Sequence, residues 1–191
     1  MHRSHTSSLS NTEPSRAIDI AVAEPFGQEL SEAWLRRVAE CALQAALLPG
    51  EPGQMSLLIA DDDAIRELNR EFRGLNEVTD VLSFSACHPG HWQGEAETPA
   101  DRYVKPGPPE EEGLGFVLPP DELPVLGDIV ISYPQAQRQA QERGKLVERE
   151  LALLIVHGVL HLMGYDHLGP EETAVMQAKE RAALSLVLDA P

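Results

Sequence analysis

The chain has 191 residues, a length that suits one domain around one sizeable core. Hydrophobic residues make up 42% of it and charged residues 24%, which excludes wholesale disorder, and no apolar run approaches the ~20 residues needed to span a bilayer. With 15 Lys and Arg against 31 Asp and Glu the net charge is −16, which argues against non-specific adhesion to nucleic acid or anionic membrane, but not against a nucleic acid held in a local basic groove.

Residues 1–16, MHRSHTSSLSNTEPSR, are polar, lack periodicity and carry no apolar signal-peptide core, and they read as a mobile tail. IDIAVA (18–23) alternates in polarity and predicts a strand. Ser31 is placed to N-cap a helix through AWLRRVAECALQAALL, with Pro49-Gly50 as its stop. MSLLIA (55–60) is a short apolar run of the buried-strand kind. Asp61 to Asp63 then open a helix, AIRELNREF, whose Ile65, Leu68 and Phe72 share one face and whose acids suit the positive end of the helix dipole. TDVLSFS (79–85) predicts a further strand. From about Ala86 to Pro124 the chain becomes rich in proline, glycine and acid, with the run Glu110-Glu111-Glu112, and reads as a long, poorly ordered insertion. GDIVIS (127–132) is the next strand. Pro134 opens a helix, QAQRQAQER, ending at Gly144. LVERELALLIVHGVLHLM (146–163) is the most apolar helix, with Gly164 as an αL stop, and Pro170-Glu171-Glu172 begins a last helix to about Leu188. Strands interspersed with helices make an α/β-type chain in one domain, and the consecutive helices at the end argue against a doubly wound sheet. Cys41 and Cys87 are far apart and form no CxxC, which fits a reduced, cytosolic protein.

The chemistry lies in His157-Gly158-Val159-Leu160-His161-Leu162-Met163-Gly164-Tyr165-Asp166-His167. His157 and His161 are four apart on the predicted helix, so their imidazoles leave one face a turn apart and can bind the same ion at ~2.0–2.1 Å. Gly164 can take φ > 0, end the helix and turn the chain back, bringing His167 over the first two as a third ligand. Three neutral imidazoles with a fourth position left open are the pattern of catalytic zinc, one ion per chain. A lone histidine on such a helix is more often structural; three at this spacing around a turn glycine reverse that balance. His2, His5, His88 and His91 fall in the tail or the insertion, read as solvent-exposed and are assigned no role. The spacing is that of the metzincin metalloproteases, which place Glu directly after the first histidine as general base. Here that position is Gly158, so the metal cage is present and the protease-specific base is absent.

HGVLHLMGYDH resembles the signature of the YbeY family of metal-dependent endoribonucleases, which act in ribosomal RNA maturation. LNREFRGLNEVTDVLSF (68–84) is similar to that family's Leu-Asn-x-x-Tyr/Phe-Arg stretch and its Thr-Asp-Val-Leu-Ser-Phe strand, and LGDIVIS (126–132) to its next strand. The resemblance covers about 18–85 and 123–188; the 86–124 insertion, the N-terminal tail and the acidity are departures. It implies a compact α+β domain, a small mixed sheet packed by several helices, spanning 17–188, with His157, His161 and His167 as zinc ligands between helices. It also implies a single-strand-specific endoribonuclease acting in 16S rRNA maturation and ribosome quality control, with an rRNA precursor and ribosomal particles as partners. A protein partner on the acidic surface is compatible with it, and no membrane is involved.

The resemblance further implies a functional role for Arg73, whose planar guanidinium suits bidentate contact with phosphate; the plainer reading is an arginine complementing a helix C-terminus. Asp166 either orients a ligand imidazole or caps the turn, and the turn is favoured. Asp128 either supports the site or faces solvent at a strand start, and solvent is favoured. Tyr165 and Phe72 read as core rather than as base-stacking platforms. No acid at a motif position is named as general base. Two other readings stay open: a metallohydrolase of another substrate class such as a peptidase, and a non-catalytic ribosome-assembly factor with a structural zinc.

Overall fold

Ile18, Ile20 and Val22 alternate along β1 (Arg16–Val22) and turn one edge of it toward the core, while Asp19 and Ala21 stay exposed on the other face. The structure is a computed structural model that describes residues 16–24, 26–48, 51–86, 88, 122–167 and 169–188. Residues 1–15 of the expected tail, nearly all of the expected insertion, Pro49-Gly50 and the histidines His2, His5 and His91 lie outside the described residues, while Arg16, the last residue of the expected tail, opens β1. Cys87 lies outside them too.

A short 3-10 turn (Phe26–Gln28) leads into α1 (Glu32–Ala46), which Ser31 caps as expected by accepting from the Trp34 amide. β2 (Gly53–Ala60) pairs in parallel with β1. α2 (Asp62–Arg73) follows, capped by Asp61, whose carboxylate accepts from the Ala64 amide at 2.8 Å. β3 is Val81–Ser85 and β4 is Val125–Ser132. Three helices close the chain: α3 (Tyr133–Glu142), α4 (Val147–Leu162) and α5 (Pro170–Leu188). Among the described residues this is one α+β domain with a mixed sheet in the order β1-β2-β4-β3, where only β3 runs antiparallel.

The sheet separates two unequal layers. On one face α1, α4 and α5 enclose the main core around Leu35, Leu57, Ile59, Ile129, Ile131, Leu151 and Leu160, all at most 1% exposed. On the other face α2 covers a small second cluster of Ala60, Ile65, Leu82 and Val130. Phe72 corrects the expectation that it belongs to the core. It is 49% exposed, and its ring packs edge-on against Phe84 of β3 at 5.0 Å. The reason is position: Phe72 lies one residue from the end of α2, where the helix overhangs the edge strand. Among the described residues no helix is long and apolar enough to cross a membrane.

Candidate metal centre

α4 lies directly on the sheet because it carries glycine where it crosses β4 and β3. A Cβ at Gly158 would stand 3.0 Å from Ile129 Cγ2, 3.1 Å from Ile129 Cδ1 and 3.2 Å from Ser83 Oγ. The position after the first histidine therefore faces the sheet. An acid there would be pressed into Ile129, away from the histidines, so the absent protease base has a packing cause on this scaffold.

The end of α4 sets the cluster. The Gly164 amide donates to the His161 carbonyl at 3.0 Å and the Tyr165 amide to the Leu160 carbonyl at 3.0 Å, the paired bonds of a Schellman stop. Gly164 has φ 79, the left-handed conformation expected of it, and the ring of His88 lies 3.0 Å from where its Cβ would be. The chain then reverses, and the Asp166 carboxylate accepts from the His167 amide at 2.7 Å, so Asp166 caps the turn as expected. His88 is exposed, as expected, and its amide donates to Ser85 Oγ. Asp128 is exposed on β4.

His157, His161 and His167 come together. Their ring centroids are 4.5, 5.8 and 5.3 Å apart in pairs, and one ligating atom of each lies within 4.8 Å of the others. His157 Nε2 and His161 Nε2 are 3.0 Å apart. Nitrogens bound tetrahedrally to one ion at ~2.0–2.1 Å stand roughly 3.3 Å from each other, so the donor set fits a zinc-class cation. Burial, then the neighbouring His157 and His167, push His161 down to about 4, which keeps its ring neutral and able to ligate at neutral pH. His167 is the open member, with its side chain 55% exposed.

An open cleft of about 390 Å³ runs between the end of α4 and the start of α5, lined by His157, His167, Thr173, Met176, Gln177 and Glu180. Glu180, which sequence reasoning missed, places Oε1 2.8 Å from His157 Nδ1. A signal for it was available. Met176, Glu180 and Ala183 fall on one helical stripe, and Met176 and Ala183 are at most 2% exposed, so Glu180 is an acid on a buried face. Tyr165 packs against the main core, as expected, with Lys179 Nζ 4.8 Å from its ring centre. Lys179 also donates to the Ala45 carbonyl at the end of α1.

Arg73 is not part of the cluster. It is the last residue of α2, on the opposite face of the sheet from α4, and is partly exposed. The two helix ends still flank the same end of β3, because Phe72 packs on Phe84 while the next residue, Ser85, donates to the Leu162 carbonyl at 2.8 Å.

Three histidines from a helix end and the following turn, able to hold one metal ion on an α+β sheet, define the class of protein. The pattern of the Endoribonuclease YbeY family matches residues 20–187, and the chain belongs to that family. Relatives named Endoribonuclease YbeY include one from Moorella thermoacetica, 44% identical over 161 residues, with 84% of this chain and 88% of the relative covered. Another, from Roseiflexus sp., is 37% identical over 170 residues, covering 88% and 91%. The solution structure of TM1509 from Thermotoga maritima matches the fold with a TM-score of 0.52 at 22% identity, covering 90% of this chain and 89% of that one.

Proposed function

We propose that this protein is a zinc-dependent, single-strand-specific endoribonuclease of the cytoplasm, acting on rRNA precursors in 16S rRNA maturation and in ribosome quality control. The observation that carries the reading is the convergence of His157, His161 and His167, the first and last of which line an open cleft, in a chain whose relatives are named as endoribonucleases. Held by these three residues, a zinc ion would supply a water acidified from ~15.7 toward ~7 and a Lewis acid for a phosphoryl oxygen.

The chain's own residues do the rest. Neutral imidazoles ligate without cancelling positive charge, which favours an anionic phosphodiester at the site. Arg73, at the same end of β3, serves as the cation that stabilises charge developing on the phosphoryl oxygens. Gly158 faces Ile129 and supplies no base, which disfavours a peptidase. The net charge of −16 supports one second reading, a ribosome-assembly factor that works through a protein contact and holds its zinc structurally.

The test pairs metal content with cleavage of a single-stranded RNA oligonucleotide. Wild type should carry about one zinc per chain and cut the RNA. Arg73→Ala should keep the metal and lose turnover by ~10²-fold or more. Zinc-replete wild type that leaves RNA intact, yet binds ribosomal particles, would replace the nuclease reading with the assembly-factor one.

A further inference from the structure

We propose that Glu180 is the positioning residue of the metal centre: its carboxylate takes the Nδ1 proton of His157 and thereby fixes the tautomer that turns Nε2 to the ion. This rests on the metal reading given under Proposed function, and it assigns a role to a helix, α5, that contributes no ligand.

The geometry assigns the two ring nitrogens of His157 separately. Nδ1 is 2.8 Å from Glu180 Oε1, and Nε2 is 3.0 Å from Nε2 of His161. An ionised carboxylate can only accept, so the proton of a neutral His157 sits on Nδ1 and the Nε2 lone pair faces the cluster. Without such a partner, a free imidazole side chain favours the opposite tautomer, with Nε2 protonated and unable to ligate. His161, the other half-buried ligand, has the backbone of Tyr165 beside it within its own turn. Asp166 does not play this part for His167, because its Oδ1 is 3.7 Å from Nδ1 and its hydrogen bond goes to the His167 amide. His157 is therefore the ligand whose orientation depends on a side chain from elsewhere in the chain.

Glu180 is delivered rigidly. One residue before it, Lys179 donates to the Ala45 carbonyl at 2.9 Å and lies over Tyr165, which fixes the rotation of α5 against α1 and against the metal turn. Met176 and Ala183, on either side of Glu180 on the same stripe, are buried. The Glu180 side chain is 17% exposed, so its bond to His157 is partly shielded from competing water.

The experiment measures two quantities in Glu180→Ala and Glu180→Gln. The first is zinc affinity by competition with a chromogenic chelator. The second is the ring ¹⁵N signature of His157 in the metal-free protein, which reports the tautomer without any ion. Glu180→Ala should weaken zinc binding 10–100-fold and move the His157 proton from Nδ1 to Nε2. Glu180→Gln keeps an acceptor oxygen and should lose less on both counts. Lys179→Met is the control: it loosens α5 without touching His157, and should lower the melting temperature while leaving the tautomer in place. Wild-type zinc affinity with an unchanged His157 signature in Glu180→Ala would overturn the assignment. So would an equal tautomer change in Lys179→Met, which would make the effect one of helix docking. If Glu180→Ala fails to fold, Glu180→Leu, which keeps the bulk on the buried stripe and removes both oxygens, takes its place with the same expected and overturning outcomes. Wild type that binds no zinc refutes the metal reading, while the metal-free signature still decides whether Glu180 sets the His157 tautomer.

Discussion

Gly158→Ala tests whether the seating of α4 on the sheet requires a bare backbone beside the first histidine. Two effects oppose each other. Alanine in a helix interior is worth about 0.5–1 kcal/mol over glycine. Against that, the added methyl would lie 3.0–3.2 Å from Ile129 Cγ2, Ile129 Cδ1 and Ser83 Oγ, and Ile129 is 0% exposed between α4 and the sheet, with nowhere to retreat. Overpacking of that kind costs about 1–3 kcal/mol. The net should be a loss of about 1 kcal/mol, seen as a fall of ~2–4 °C in thermal melting for a domain of this size. The assay is melting of metal-free protein, so that altered ligation does not enter. Ile129→Ala by itself should cost about 2–5 kcal/mol, and combining it with Gly158→Ala should cost less than the sum, since the cavity accepts the methyl. A Gly158→Ala protein that melts above wild type would show helix propensity dominating, and would remove the packing explanation for glycine at this position. Gly158→Glu, the change toward the protease pattern, should cost roughly 4 kcal/mol or more because it buries a charge against Ile129, and it should confer no peptidase activity.

His161→Ala removes one of the two half-buried ligands and should abolish both the bound zinc and RNA cleavage; cleavage persisting without metal would defeat the mechanism. His161 also gives a pH signature to the metal-free protein. Its ring is held neutral down to about 4 in the folded chain, whereas the unfolded chain takes up that proton near ~6.5. Between those values the unfolded state binds more protons, so stability should fall as pH drops from about 6.5 to 4 and be unaffected by this group above that range. Denaturation across that window should show a shallower slope in His161→Gln than in wild type, and identical slopes would exclude the effect. A third prediction concerns Glu150, 1% exposed near the start of α4 and ion-paired with Arg143 at the end of α3. Arg143→Met should strand that carboxylate and cost about 3 kcal/mol by denaturant titration, because the arginine is itself half-exposed; Glu150→Leu together with Arg143→Met should recover most of the loss, and no recovery would refute the stranded-charge account.

What could be read from the sequence follows the distance over which each feature is decided. The histidine cluster is local: two ligands sit one helical turn apart, a glycine in αL conformation reverses the chain, and the third ligand follows within three residues, so spacing alone implies the geometry. The caps at Ser31 and Asp61 are local in the same sense, each a side chain accepting from an amide three residues on. The sheet order β1-β2-β4-β3 is not local, because alternation marks strands without saying which strand pairs with which, and β3 joins the edge by a reversal that no periodicity encodes. Phe72 was misjudged for a related reason: its place on the apolar face of α2 is correct, but the sheet beneath that face ends before the helix does. Glu180 shows the limit most clearly. It stands 23 residues from His157 on a separate helix, and the two meet only once α5 has docked against α1 and α4. An acid on an otherwise buried stripe marks it as a residue needing a partner, and the partner is legible only from the packing. The same packing changes the meaning of Gly158, which in sequence is a missing base and in the fold is the contact that lets α4 lie close enough to β4 for its last turn to meet Ser85.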